Sequence, residues 1–206
     1  MTLTYIIIFL TSGVSLLALA NRHLSDQLRF NAYLAKHSNQ WYRFFTYAFV
    51  HADWMHLLIN MFVLYSFGSI VEMFYKMHFH AKGILDFIML YVGGIMFSVL
   101  ASFGKHKDDF GYNAVGASGA VSAVVFASII FYPTGKVFLF FIPFGVPAFI
   151  FGIIYLVYSA YMANRNVGNI GHDAHFWGAV FGALFTIILK PSLFLSCIDQ
   201  IKALFS

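Results

Sequence analysis

This sequence has little of what a soluble domain needs. Charged side chains make up 10% of its 206 residues, against about 25% in ordinary soluble domains. It has one cysteine, Cys197, which excludes an internal disulfide framework and a cysteine-based metal site. No lysine or arginine precedes the first apolar run, LTYIIIFLTSGVSLLALA at 3–20. Secretory leaders begin with such charges and have a shorter apolar core. The run is therefore expected to stay as a span, although Ala18-Leu19-Ala20 resembles a cleavage site. Nine histidines are present, but none stands in the dense HxxHH boxes of membrane metal oxygenases. The sequence gives no reason to expect a metal or any other cofactor.

What is there points to lipid. Hydrophobic residues reach 61% and the mean hydropathy is +0.79, more apolar surface than water tolerates. Aromatic residues make up 20%, and many rings lie near the ends of apolar runs, as membrane interfaces favour. A net charge of +4 suits anionic headgroups of a lipid bilayer rather than nucleic acid. Candidate spans occur at about 3–20, 54–75, 84–103, 115–132, 147–163 and 174–189. Each is near the ~17–25 residues that a helix needs to cross the hydrocarbon core. Runs this long are helical, because barrel strands are shorter and alternate. The expectation is an all-α polytopic membrane protein, one domain over 1–206, with six transmembrane helices and both termini on one side.

The links differ in kind. Residues 21–53 form a long loop of mixed charge and aromatics, suited to the interface. Residues 76–83 and 104–113 read as polar links. Residues 132–147 hold an apolar run too short to span, flanked by prolines and glycines. Residues 164–173 are polar. With a cytoplasmic N-terminus, the inner links and tail carry Lys76, Lys82, Lys136, Lys190 and Lys202. The outer side carries Arg22, Arg29, Lys36, Arg43, Lys105, Lys107 and Arg165. Counted this way, the positive-inside rule does not support that orientation.

Three segments hold residues that can carry chemistry. In NAVGASGAVSAVVF (113–126), Ser118 lies between Gly116 and Gly119 near a helix start. Small neighbours leave room for a carbonyl at its hydroxyl, and unpaired N–H groups there can face an oxyanion. Gly119, Ala123 and Ala127 also form a small-residue stripe, so the segment alone leaves helix packing open for Ser118, and more so for Ser122. A serine nucleophile needs a base. His175, in GHDAHFWGAVFG (171–182), shares a face with Gly178 and Gly182 and would lie at the depth of Ser118 if the two spans pack. Asp173, two positions earlier, points off that face and reads as a cap rather than a triad member. His56 and Asn60, four apart, share a face and can both donate to an acyl oxygen, or else join helices. His51 and His172 read as loop histidines.

Together these motifs resemble the rhomboid family of intramembrane serine proteases. The matching elements are His51-x4-His56-x3-Asn60, Gly116-Ala-Ser118-Gly119 and Ala174-His175-x2-Gly178-x3-Gly182, in order on three spans. Arg43 and Thr46 before His51, and Gly68 with Glu72 at the end of span 2, also fit. The likeness runs from about Trp41 to Leu189.

The resemblance implies that Ser118 is the nucleophile and His175 the base. It implies an oxyanion hole of His56, Asn60 and the Ser118 N–H, a membrane-embedded first loop held by Arg43, a cap at 164–173 and a gate at span 5. It implies single-span transmembrane proteins as substrates. It also implies a cytoplasmic N-terminus and an outward-facing site, which we adopt over the charge count. A bacterial inner (plasma) membrane fits the compact six-span form.

Two departures stand out. The family often has an aromatic residue four positions after the serine, stacked on the base; here that residue is Ser122, which leaves either another ring, Trp177 or Phe176, to hold His175 or a looser imidazole. The family's Trp-Arg pair reads Tyr42-Arg43, with Trp41 one position early. Two other readings compete. One is a pseudoprotease that binds membrane clients. The other is a metal-dependent enzyme using His51, His56, His78, His80, His172 and His175.

Overall fold

Helices hold all the long apolar segments. The computed structural model describes residues 2–138, 143–165 and 171–206. The first helix, α1 (Leu3–Ala20), leads into a loop of three short helices: α2 (Arg22–Leu28), α3 (Ala32–His37) and α4 (Arg43–Thr46). Two long helices follow, α5 (Trp54–Phe79) and α6 (Gly83–His106). Then come α7 (Ser118–Phe131), α8 (Ala148–Arg165), α9 (His172–Leu189) and α10 (Ser192–Lys202). A small antiparallel pair, β1 (Lys136–Val137) and β2 (Val146–Pro147), ties the ends of the α7–α8 link, with Val137 opposite Val146. The protein is an all-α polytopic membrane bundle.

By length and hydropathy, Leu3–Ala20, His172–Leu189 and the stretch Trp54–His106 can cross a membrane; Ser118–Phe131 and Ala148–Ala163 are shorter apolar helices. Side chains such as Leu58, Phe62, Ile153 and Val157 point outward from the bundle, where lipid replaces water as their solvent.

Several boundaries differ from the sequence expectation. The α5 helix continues to Phe79, so 76–83 is no polar link. It turns at His80, which has φ 50°, straight into α6. Gly83 permits this turn: a Cβ there would lie 2.6 Å from Lys76 Cα. The expected span at 115–132 shrinks to a helix of 14 residues, about 21 Å long at 1.5 Å per residue. Gly116 causes this, because its φ of +111° interrupts any helix before Ser118. The ~30 Å hydrocarbon core is thicker than α7 is long, so at least one end of α7 lies below the membrane surface. Residues 139–142 of the expected interfacial run, and 166–170 of the expected cap, lie outside the described residues.

The α7 helix sits at the centre, with eleven of its residues buried. It packs on α5, α6 and α9. Glycines bring these helices close. A Cβ on Gly178 would lie 2.9 Å from Gly119 Cα, and one on Gly182 would lie 2.6 Å from the Ala123 carbonyl carbon. Such backbone-to-backbone contact is how membrane helices gain dispersion energy where no hydrophobic effect drives them together. From the other side, Gly94 of α6 abuts Ala120 and Ala123. The α1 helix is fixed to α5 by Glu72, whose carboxylate accepts from Thr4 N and Thr4 Oγ1, both at 3.1 Å, and from Lys76 Nζ at 2.6 Å.

The first loop is ordered by one buried arginine. Arg43 Nη1 donates to the carbonyls of Asp26 (2.9 Å) and Arg29 (2.7 Å), and its Nε donates to Gln40 Oε1 (2.6 Å). Burial lowers its pKa, yet an arginine so far above neutrality keeps its charge. Thr46 Oγ1 donates to Leu28 O at 2.7 Å. The loop is then joined to the segment before α7: Phe30 and Ala114 exchange two backbone hydrogen bonds, at 2.9 and 3.0 Å.

Candidate active site

Gly116 begins the construction. Its amide donates to Tyr47 O at 3.0 Å, and the Tyr47 hydroxyl donates to Ile95 O at 2.7 Å. The next amide, Ala117 N–H, donates to His51 Nε2 at 3.3 Å. A backbone amide can only donate, so Nε2 is the accepting nitrogen and Nδ1 carries the proton. Nδ1–H then donates to Ser15 Oγ (2.7 Å), and the Ser15 hydroxyl donates to Phe49 O (2.8 Å). Burial, with His56 alongside, holds the His51 pKa down to about 3, so the ring is neutral at ordinary pH. His51 thus fixes the turn that presents Ser118, from α1 and the first loop. The sequence reading leaves it as a loop histidine and gives it no such task.

Ser118 is the first residue of α7, after the N-cap residue Ala117. First-turn N–H groups have no intrahelical acceptor, so the helix start is a ready oxyanion donor. A cavity of about 940 Å³ opens there, lined among others by His56, Asn60, Ser118, Ser122, Tyr155 and His175.

His56 is brought to this cavity by the start of α5. Asp53 caps that helix, its Oδ1 accepting from His56 N at 2.8 Å. His56 Nδ1 accepts from Ala52 N at 3.5 Å, which leaves the proton on Nε2. Gly116 makes room for this ring: a Cβ there would lie 2.6 Å from His56 Cε1. One turn on, Asn60 is buried and its Nδ2 donates to His56 O at 2.9 Å. A side-chain amide has two N–H donors, so the second is left for a ligand.

His175 comes from the first turn of α9, carried to α7 by Gly178 and Gly182. A Cβ on Gly119 would sit 3.2 Å from Ala174 O, and would strike Ser98 as well. Gly119 is therefore required by close approach from both α6 and α9. All eight residues singled out from the sequence (Ser118, His175, His56, Asn60, Gly116, Gly119, Gly178 and Gly182) meet at this cavity or at the helix contact behind it.

The surroundings of His175 differ from expectation. Phe176 and Trp177 pack on each other, at 5.3 Å and 84°, and Trp177 faces outward. The ring that stacks on His175 is Tyr155 of α8, at 6.2 Å and 18°. Its hydroxyl bonds Ser122 Oγ at 2.6 Å. The sequence signal for it was only a tyrosine inside an apolar run. His172 is no loop residue: it opens α9, is buried, and packs edge-on to His175 (6.1 Å) and Tyr158 (5.7 Å). Asp173 makes no side-chain cap, Gly171 being the N-cap residue. It pairs with Lys105 Nζ at 2.7 Å and joins α9 to α6.

The histidines do not assemble as a metal box. His78 lies at the far end of the bundle, stacked on Phe131 (5.1 Å) and 3.3 Å from Lys190 Nζ. Among the described residues, no three His, Cys, Asp or Glu side chains are gathered to hold a metal ion.

Comparison with known proteins bears on the same region. The rhomboid family profile, described as "Rhomboid domain", matches residues 38–192. The chain is similar to "RHOMBOID-like protein 12, mitochondrial" of Arabidopsis thaliana, 31% identical over 151 residues, covering 68% of this chain and 44% of that protein. It is also similar to "Rhomboid-like protein 11, chloroplastic" of the same plant, 50% identical over 40 residues, covering 19% of this chain and 14% of the relative. The chain thus spans less than half the length of these curated relatives.

Proposed function

The chain belongs to the rhomboid family, and on that premise we propose that it is an intramembrane serine endopeptidase working through a Ser118–His175 dyad. Ser118 attacks the scissile carbonyl while His175 takes its proton. The tetrahedral oxyanion is met by His56 Nε2–H, the free Asn60 N–H and the Ser118 amide. His175 then passes the proton to the leaving amine, and water releases the acyl group by the same steps in reverse.

The observation that carries this reading is the shared cavity. It is lined by a serine at a helix start, a histidine and two further polar donors, all inside a lipid-facing bundle. Hydrolysis needs water, and this cavity of about 940 Å³ gives water room at the site. The substrates we infer are single-span transmembrane segments. A transmembrane helix must unwind locally to expose its carbonyl, so segments with small or helix-breaking residues should be cut best.

The site end of the bundle faces the extracytoplasmic side in this proposal. Bacterial inner membrane is the setting we infer, and the organellar names of the two relatives make an organellar membrane the second setting. The charge count that argues against this orientation loses weight once the basic residues are located. Arg43 is buried against carbonyls. Arg29, Lys36 and Lys105 each pair with an aspartate. The positive-inside rule is also weak for residues in long folded loops.

The test is cleavage of a transmembrane substrate in detergent or liposomes by Ser118→Ala and His175→Ala. Each should lower kcat by at least about a thousandfold. Undiminished cleavage in either variant would refute the dyad. A wild-type chain that binds such segments without cutting them would favour the pseudoprotease.

A further inference from the structure

The base of this site is held from the wrong helix. The ring four positions after the serine is replaced by Ser122, whose hydroxyl instead bonds Tyr155 of α8 at 2.6 Å. Tyr155 lies nearly parallel to His175, at 6.2 Å and 18°. It is wedged between Phe126 of α7 (5.6 Å) and Phe151 of α8 (5.7 Å). One turn earlier, Gly152 lets α8 seat closely on α7: a Cβ there would lie 3.0 Å from Ile129 Cδ1. The opposite face of α8, with Ile153, Ile154 and Val157, is turned away from the bundle.

We propose that Tyr155 is the positioning residue of His175, and that Ser122 is the anchor that sets the tyrosine's depth. This rests on the Ser118–His175 reading. The ring face limits the rotation of the imidazole. It also lies where its quadrupole can meet the positive charge that His175 gains on taking the serine proton. Because the ring belongs to α8, the alignment of the base depends on how α8 is seated on α7.

The experiment compares Tyr155→Phe, Tyr155→Leu and Tyr155→Met with the wild type, each checked for an unchanged melting temperature in detergent. Cleavage of a transmembrane substrate gives kcat and KM. The rate of fluorophosphonate attachment to Ser118 gives a readout free of substrate binding. Removing the ring should lower kcat and the labelling rate by about 10–100-fold with KM within about threefold, the scale of a small misplacement of a catalytic group. The Phe variant keeps the ring and loses only the anchor, so it should recover most of that loss.

Three outcomes overturn the inference. One is a Leu or Met variant with wild-type kcat and labelling. Another is equal losses in Phe and Leu, which would assign the effect to the hydroxyl. The third is a loss confined to KM, which would make Tyr155 a substrate contact. Should Leu not fold, Met carries the comparison. Wild-type protein that neither cleaves nor labels would refute the dyad itself. An active wild type with an unimpaired Leu variant refutes this inference alone.

Discussion

At the scale of single residues, the site is a set of proton assignments. His51 and His56 have opposite tautomers for the same reason: a backbone amide claims one nitrogen of each ring. That leaves His56 Nε2–H free at the cavity and sends His51 Nδ1–H to Ser15. Asn60 gives one N–H to the helix, and in the proposed mechanism its second N–H meets the oxyanion. Asn60→Ala should therefore lower kcat about 10²–10³-fold and leave KM nearly unchanged, as steady-state kinetics would show. His51 predicts a pH effect on stability. Its pKa is about 3 when folded, against an ordinary 6.5. Between those values the unfolded chain binds more protons. Stability therefore falls as pH drops from about 6.5 towards 3, by at most ~1.4 kcal/mol per pH unit. Melting in detergent across that range checks it, and His51→Gln should flatten the dependence. That Ser118, His175, His56 and Asn60 form one candidate cluster was legible because each sits in a short motif of distinctive spacing. Tyr155 was not, because its partners Ser122 and His175 lie on two other helices and no local pattern links them.

At the scale of elements, glycine decides where the helices touch. Gly178 and Gly182 place α9 on the backbone of α7, and this contact sets the separation of His175 and Ser118. Gly178→Ala should force the helices apart at a cost of about 1–3 kcal/mol. It should lower activity more than stability, since the same shift separates base from serine. Gly13→Ala is the control: beyond its own helix backbone and its two chain neighbours, nothing lies within 4 Å of a Cβ there, so melting should be unchanged or slightly raised by the better helix former. The helical runs were legible in hydropathy alone. Their ends were less so. Hydropathy extends α7 back to 115, because valine and alanine there are as apolar as in a helix. The positive φ at Gly116 ends it sooner. At 76–83 the polar residues suggest a link, yet backbone hydrogen bonding continues the helix to Phe79. In a bilayer a broken helix leaves unpaired amides, so continuity wins.

At the scale of the whole molecule, the bundle has two unlike ends. The end with Ser118 carries the first loop, closed by Arg43, Phe30 and Ala114. The other carries His78, Lys190 and the start of α10. A charge count from sequence cannot tell a free arginine from one buried among carbonyls, as Arg43 is. Orientation is checked with single cysteines, against a background in which Cys197 is buried. Lys107→Cys, exposed beside the site, should react with an impermeant maleimide in intact cells. Lys82→Cys, at the other end, should react only after permeabilisation; the reverse pattern would invert the proposed topology.

The central claim is that Ser118 is made nucleophilic by His175 inside the bundle. The most direct measurement is mass spectrometry of the purified protein after treatment with a fluorophosphonate. The predicted result is a single adduct on Ser118 that disappears in His175→Ala while that variant still melts as a folded protein. An adduct on another serine, or one on Ser118 that forms equally fast without His175, would contradict it.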